Sequence, residues 1–258
     1  MIRKSLIYKT GVEYGDYTLN HVLGCSHGCK YPCYAYMMAK RFGKVKTYEE
    51  WTTPQVVENT LELLDAELPK FRDKIETLHL CFTTDPFMWM HDEIGNLSLQ
   101  VLQRANAAGV RCSVLTKEVL PDPLASLPLD NEYGITIVSL DNEFVEQYEP
   151  GAAPIDLRLN SLRNLSERGC RTWVSIEPYP TPNIITQNLT EILQAVAFTD
   201  RIIFGRLHYN KIVSEYSDFK QFYNRCASEV ESFCKAHNIE YYVKKGTKSE
   251  PTEKCVSN

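Results

Sequence analysis

The sequence predicts an α/β fold, with a parallel sheet rolled into a full or partial TIM-type barrel and helices packed outside it. Three observations carry that expectation. Apolar, β-branched runs alternate with amphipathic stretches nearly end to end, the pattern of repeated strand–helix units. Six or seven such units fit in 258 residues, a length at which α/β barrels commonly form one domain. Most positions that follow the strand-like runs are polar, which suits a fold whose chemistry sits at the carboxyl ends of its strands. An open doubly wound sheet shares these properties, and periodicity does not separate the two.

Taken in order, the first strand-like run is YTLNHVLG (17–24), which leads into the cysteine-bearing segment GCSHGCKYPCYAY (24–36). A helix is expected over 54–66, followed by the apolar run ETLHLCF (76–82) and the polar turn TTDP (83–86). The next helix, 96–108, has Gly109 as its stop. RCSVLT (111–116) and GITIVS (134–139) are β-branched strands, the first followed by TKEVLPD and the second closed by Ser139. Over 156–168 the spacing of Leu157, Leu159, Leu162 and Leu165 is helical, and Gly169 ends the segment. RTWVSIE (171–177), a helix over 189–198, RIIFGR (201–206), a helix over 217–237 and IEYYVK (239–244) complete the alternation. No Pro- or Ser-rich linker interrupts it, so residues 1–246 are expected to be one domain, with 247–258 a C-terminal tail.

Composition is that of a globular protein: 43% apolar, 24% charged, net charge −5. The negative balance argues mildly against a non-specific nucleic-acid binder, whose affinity rests on neutralised phosphates. Basic residues gather at KRFGKVK (40–46) and toward the C-terminus, where solvated faces are the expected reading. No apolar run reaches a membrane-spanning length, and the first residues lack the apolar core of a secretory signal, so a cytoplasmic protein without a membrane partner is expected. Nine cysteines, an odd number, point to metal or redox use rather than a disulfide framework.

Cys25, Cys29 and Cys33 are each separated by three residues. A structural zinc site takes four protein ligands, usually as two short pairs, and no second pair lies downstream; His27 is the available fourth ligand for that reading. Three thiolates on one loop instead suit an iron–sulfur cubane with one iron left open to a small molecule. Gly24 and Gly28 give the loop backbone freedom.

These residues resemble the cluster loop of the radical S-adenosylmethionine (SAM) enzymes, and more narrowly that of the spore photoproduct lyase-like branch. The resemblance extends over about residues 17–210. FTTDPF (82–87) is similar to that branch's turn after strand two, LTK (115–117) to its Thr-Lys turn, IVS (137–139) to its Ser-ended strand, and YEPGAAPIDLRL (148–159) to its acidic-Pro stretch before an Arg-Leu helix. The chain departs from the usual spacing: Pro32 lengthens the second interval from two residues to three.

The resemblance implies a single-domain partial (β/α)6-type TIM barrel of the radical SAM kind. It implies a [4Fe-4S] cluster on Cys25, Cys29 and Cys33 that reductively cleaves SAM, yielding a 5′-deoxyadenosyl radical that abstracts hydrogen from a substrate. Thr84, Lys117 and Ser139 are the expected SAM contacts, and Tyr31 or Tyr34 flanks the adenine. A reductant such as flavodoxin or ferredoxin is the expected partner, and the substrate is left open among small molecules, peptides and nucleic acids. Glu149 and Arg158 receive no catalytic role, whereas Glu177, Arg206 and His208 are expected around the barrel mouth. Photoproduct lyases carry a hydrogen-donating cysteine just after strand two; here Phe82 stands there, with Cys81 one residue earlier, so DNA lesion repair is only an alternative. The other alternative is a non-catalytic iron–sulfur or zinc binding module.

Overall fold

The computed structural model describes residues 1–249. In chain order its first elements are β1 (Ile7–Lys9), β2 (Tyr17–Leu19), β3 (Val22–Leu23), α1 (Tyr34–Arg41), α2 (Tyr48–Thr52), β4 (Gln55–Val56) and α3 (Thr60–Phe71). Next come β5 (Leu78–Leu80), α4 (Asp92–Ala107), β6 (Cys112–Thr116), β7 (Glu132–Thr136), α5 (Asn142–Tyr148) and α6 (Ile155–Glu167). The last are β8 (Arg171–Tyr179), α7 (Leu189–Ala195), β9 (Arg201–Arg206), α8 (Lys211–Glu215), α9 (Phe219–His237) and β10 (Glu240–Val243).

The main sheet runs β1-β2-β5-β6-β7-β8-β9-β10. Only β1 is antiparallel; every later neighbour pair is parallel. A doubly wound sheet reverses its strand order at a switch point. Here the order follows the chain without reversal, so the strands wind one way, as in a barrel. Among the described residues β1 and β10 do not pair with each other, so the barrel is partial.

The interior is filled from below. Trp173 of β8 is fully buried, and its ring occupies the space beside Gly134 of β7, where a Cβ would stand 2.6 Å from Trp173 Cδ2. Tyr14, from the turn between β1 and β2, stacks on Trp173 at 5.0 Å. That turn is anchored by Asp16, whose carboxylate accepts the amide N–H groups of Glu76 and Thr77. Lys244, just past β10, reaches in to meet the Tyr14 hydroxyl (3.2 Å), Glu177 (2.7 Å) and Glu13 (3.5 Å). The basic run near the C-terminus is therefore not wholly a solvated face, because Lys244 closes on the opposite end of the chain.

The run 17–24 divides into β2 and β3, which belong to different sheets. Between them, Asn20 Oδ1 accepts the backbone and side-chain donors of Thr83, turning the chain off the sheet. β5 ends at Leu80, so Cys81 lies just past the strand, in left-handed backbone (φ 58°). In α6 the buried stripe is Ile155, Arg158, Leu162 and Leu165, while Leu157 is 46% exposed. Residues 247–249 of the expected tail lie against the body: Thr247 is buried and Ser249 N–H donates to Asn224 Oδ1. Its remainder, 250–258, lies outside the described residues. No described helix is long and apolar enough to cross a membrane.

Candidate functional site

The cysteines occupy the loop from β3 to α1, beside the carboxyl ends of the first parallel strands. Gly24 adopts φ +91°, and a Cβ there would meet Trp51 O at 2.6 Å, the same oxygen that accepts Cys25 N–H at 2.8 Å. Only glycine lets the loop press this closely onto α2. Cys33 is the N-cap residue of α1. All three thiols are half-buried and none is in a disulfide.

The three sulfurs share one neighbourhood. Burial pushes the Cys29 thiol up to about 11, with Lys117 opposing and Cys25 adding to the rise. Burial also raises Cys33, partly offset by the Tyr36 amide at the helix start, and Cys25 again adds to it. The Tyr48 hydroxyl, pushed up to about 12 by burial, feels Cys29, Cys33 and Cys25 together; it donates to Cys29 O at 2.6 Å. Thiols raised this way stay protonated until a cation displaces the proton, and coordination to a metal does so outright.

Strand ends converge on this loop. Asp85, after β5, is buried; its carboxylate accepts the Thr116 hydroxyl (2.7 Å), Phe87 N–H (2.8 Å) and Lys117 N–H (2.9 Å). It thereby staples the end of β5 to the end of β6. Lys117 Nζ then stands 3.7 Å from Cys29 Sγ and donates to Glu149 at 2.5 Å. Glu149 is buried and also accepts Arg158 Nη1 at 2.8 Å. Burial alone would lower the Lys117 pKa, yet Cys29 and Glu149 hold it above its ordinary value. His27 is buried with Nδ1 3.4 Å from Cys25 Sγ and Nε2 2.9 Å from Glu118. Both ring nitrogens are thus engaged within the protein.

The other expected site residues divide. Thr84 Oγ1 is buried and has no hydrogen-bond partner, as is the Tyr31 hydroxyl. Buried polar atoms are rarely left so. Tyr31 packs on Tyr148 at 5.3 Å with Lys117 Nζ 5.2 Å over its ring, whereas Tyr34 is 49% exposed at the start of α1. Ser139 is buried, one strand further round, and its hydroxyl oxygen accepts Asp141 N–H at 3.0 Å. Glu177 faces Gly205 and Lys244 inside the barrel. Arg206 pairs in register with Tyr179, whose ring stacks on Phe222 of α9, so it belongs to the helix side rather than the mouth. Its Nε donates to His208 Nδ1 at 3.3 Å. Cys81 is buried with its sulfur 3.5 Å from His21 Nδ1.

No three His, Cys, Asp or Glu side chains among the described residues gather closely enough to share a single metal ion. A cubane binds each thiolate through a different iron, so its ligands surround it without meeting at one point.

Comparison with known proteins agrees with this architecture. Spore photoproduct lyase with bound AdoMet and dinucleoside spore photoproduct superposes with TM-score 0.69 at 14% identity, over 94% of this chain and 80% of that one. SuiB of Streptococcus suis bound to S-adenosylmethionine gives TM-score 0.55 at 12% identity, over 88% of this chain and 46% of SuiB. The chain shares the partial-barrel fold of these two proteins. Among curated proteins, an uncharacterized protein of Acidianus two-tailed virus is 27% identical over 197 residues, 72% of this chain. An uncharacterized protein of Methanocaldococcus jannaschii is 26% identical over 178 residues, 68% of this chain. The chain spans 64% of the length of each of these two relatives. No family model matches the sequence.

Within this fold, sequence reasoning missed the partners of the expected site residues. Glu118 is 91 residues from His27, and Glu149 is 32 from Lys117. Neither spacing carries a local signal. Tyr48 sits among charged residues of a short helix, with nothing in its surroundings to mark it.

Proposed function

We propose that this chain is a radical SAM enzyme in which Cys25, Cys29 and Cys33 hold a [4Fe-4S] cluster and Lys117, Thr84 and Ser139 contact SAM. The observation that carries this reading is the gathering of three free thiols beside Lys117 at the carboxyl ends of parallel strands. The residues present fit the group. The unpartnered hydroxyls of Thr84 and Tyr31 offer hydrogen bonds to a bound molecule, and Glu149 holds the Lys117 ammonium beside the thiols. That point charge suits a carboxylate such as the methionyl end of SAM.

When bound, the cluster and SAM supply one-electron reductive cleavage of the sulfonium, which initiates hydrogen abstraction from substrate. The chain's own residues bind and orient. Glu149 aims the Lys117 ammonium, Asp85 sets the backbone that carries it, and Tyr31 closes the apolar side. Its burial against Tyr148 and Phe144 favours Tyr31 over exposed Tyr34 as the aromatic nearest the adenine. His27 meets Glu118 through Nε2 and faces Cys25 Sγ through Nδ1, the orientation a zinc-binding ring also adopts, so metal analysis of the reconstituted chain separates the cluster from a zinc site with His27 as fourth ligand. The burial of Cys81 against His21 weighs against a hydrogen-donating thiol of the photoproduct lyase kind. The substrate class is left to experiment: a small molecule, a peptide or a nucleic acid.

Anaerobic reconstitution with iron and sulfide, followed by reduction in the presence of SAM, tests the reading. The expected outcome is a brown charge-transfer absorption, a paramagnetic signal altered by SAM, and formation of 5′-deoxyadenosine. The triple variant Cys25→Ala, Cys29→Ala, Cys33→Ala should lose all three. A protein that binds a cluster but never cleaves SAM would be a non-catalytic module instead.

A further inference from the structure

We propose that the basic segment 40–46, with the outer face of α1, is the docking surface for an acidic one-electron redox protein; this rests on the function proposed above. The segment covers the cysteine loop. Val45, in the middle of the run, is buried in one small apolar cluster with Ala39 and Trp51, against which Cys25, Cys33 and Tyr36 pack. The residues on either side of Val45 turn outward: Lys40, Arg41, Lys44 and Lys46 are exposed. Among the described residues none of these four forms an ion pair with a carboxylate. The nearest acidic residues in the chain are Glu49 and Glu50, and Glu50 accepts the Lys46 amide.

Two further features fit a protein partner. Phe42 is 67% exposed in the middle of the cations, and Met37 and Tyr34 are exposed on the same helix. An aromatic anchor ringed by charge is the composition of an interface core with a polar rim. The route inward is short. α1 has eight residues from Cys33 to the basic run, about 12 Å at 1.5 Å per residue. Tyr48, partly exposed, contacts Tyr36 edge-on at 5.0 Å and hydrogen-bonds Cys29 O. Electron transfer slows steeply with distance, so a donor must bind close to the sulfurs, and the segment that packs against Cys25 and Cys33 is basic on a chain of net charge −5. Complementary charge would steer an acidic donor there and set its orientation.

The step itself is a single transfer. One electron leaves the reduced flavin or iron–sulfur group of the donor and enters the metal centre held by the three thiolates. The donor is oxidised by one electron, the centre is reduced by one, and no bond is made or broken.

The test compares the parent chain with the variant Lys40→Glu, Arg41→Glu, Lys44→Glu, Lys46→Glu, and with Phe42→Ser. After reconstitution, reduction by photoreduced plant-type ferredoxin should slow at least about tenfold in the charge variant at low salt. The difference should vanish near 1 M salt, where the Debye length is ~3 Å. Photoexcited deazaflavin, a small reductant, should reduce parent and variants at the same rate. Phe42→Ser should keep the salt dependence and raise the dissociation rate several-fold. Binding of oxidised ferredoxin to the full chain before reconstitution gives a separate readout that needs no iron; its dissociation constant should rise at least tenfold in the charge variant. A chain that takes up no cluster yet shows this binding would overturn the function reading and leave the docking surface standing. Equal ferredoxin rates and equal binding in parent and variants would overturn the docking proposal. So would a single-stranded oligonucleotide that binds the segment more tightly than ferredoxin and is lost from the charge variant.

Discussion

Lys117 sits between a thiol and a carboxylate, 3.7 Å from Cys29 Sγ and 2.5 Å from Glu149. If it also meets the carboxylate of SAM, Lys117→Met should raise the SAM dissociation constant roughly 10- to 100-fold, the worth of one charged hydrogen bond; equilibrium dialysis reads this directly. An unchanged constant would remove Lys117 from the cofactor site. Two histidines outside the site make a pH prediction. Burial, aided by Arg3 at His21 and Arg201 at His79, pushes both rings down to about 3. In the unfolded chain each titrates near ~6.5. Between these values the unfolded chain binds more protons than the native one, so stability is lost as pH falls from 6.5 toward 3. Each ring contributes up to ~1.4 kcal/mol per pH unit. Urea unfolding at pH 7 and pH 5 should therefore show His79→Asn losing about 2 kcal/mol less than the parent chain. Equal losses would mean that His79 is not held neutral.

Among the elements, the joint between β5 and β6 depends on one side chain. Asp85 accepts three donors, two of them from the Thr116–Lys117 turn. Asp85→Ala strands these buried donors and should cost about 2–4 kcal/mol, read as a lower urea midpoint, together with weaker SAM binding because Lys117 loses its backbone anchor. The contact of β7 with β8 is limited by size. Gly134→Ala would drive a methyl group into the Trp173 ring, an overpacking that should cost ~1–3 kcal/mol, measurable as a lower Tm. Neither joint was legible in the sequence. TTDP reads as a turn and Gly134 as part of a strand, and the partner of each lies tens of residues away. The strands themselves were legible, RIIFGR most cleanly, because a run of apolar and β-branched residues is a local property. The β1 and β4 strands and the helices α1, α5 and α8 were not, since each is too short for its periodicity to rise above the surrounding loops.

At the scale of the whole molecule, Lys244 ties the end of the sheet to its beginning through Glu13, Tyr14 and Glu177. The cluster is about one-fifth exposed, so Lys244→Met should cost only about 1–3 kcal/mol, less than for a fully buried pair. The urea midpoint should fall with the slope unchanged, as for a native state destabilised but not reorganised. By itself the sequence determined the α/β alternation and the single cysteine loop, because each is written within a few consecutive residues; the strand ends moved, with β7 stopping at Thr136 short of Ser139 and β8 running past Glu177 to Tyr179. The tertiary structure alone decided that the sheet winds as a partial barrel, that His27 belongs to Glu118 and Lys117 to Glu149, and that Lys244 turns inward. Strand order and ion pairing depend on which distant segments meet in space, and hydrophobic period carries no record of that.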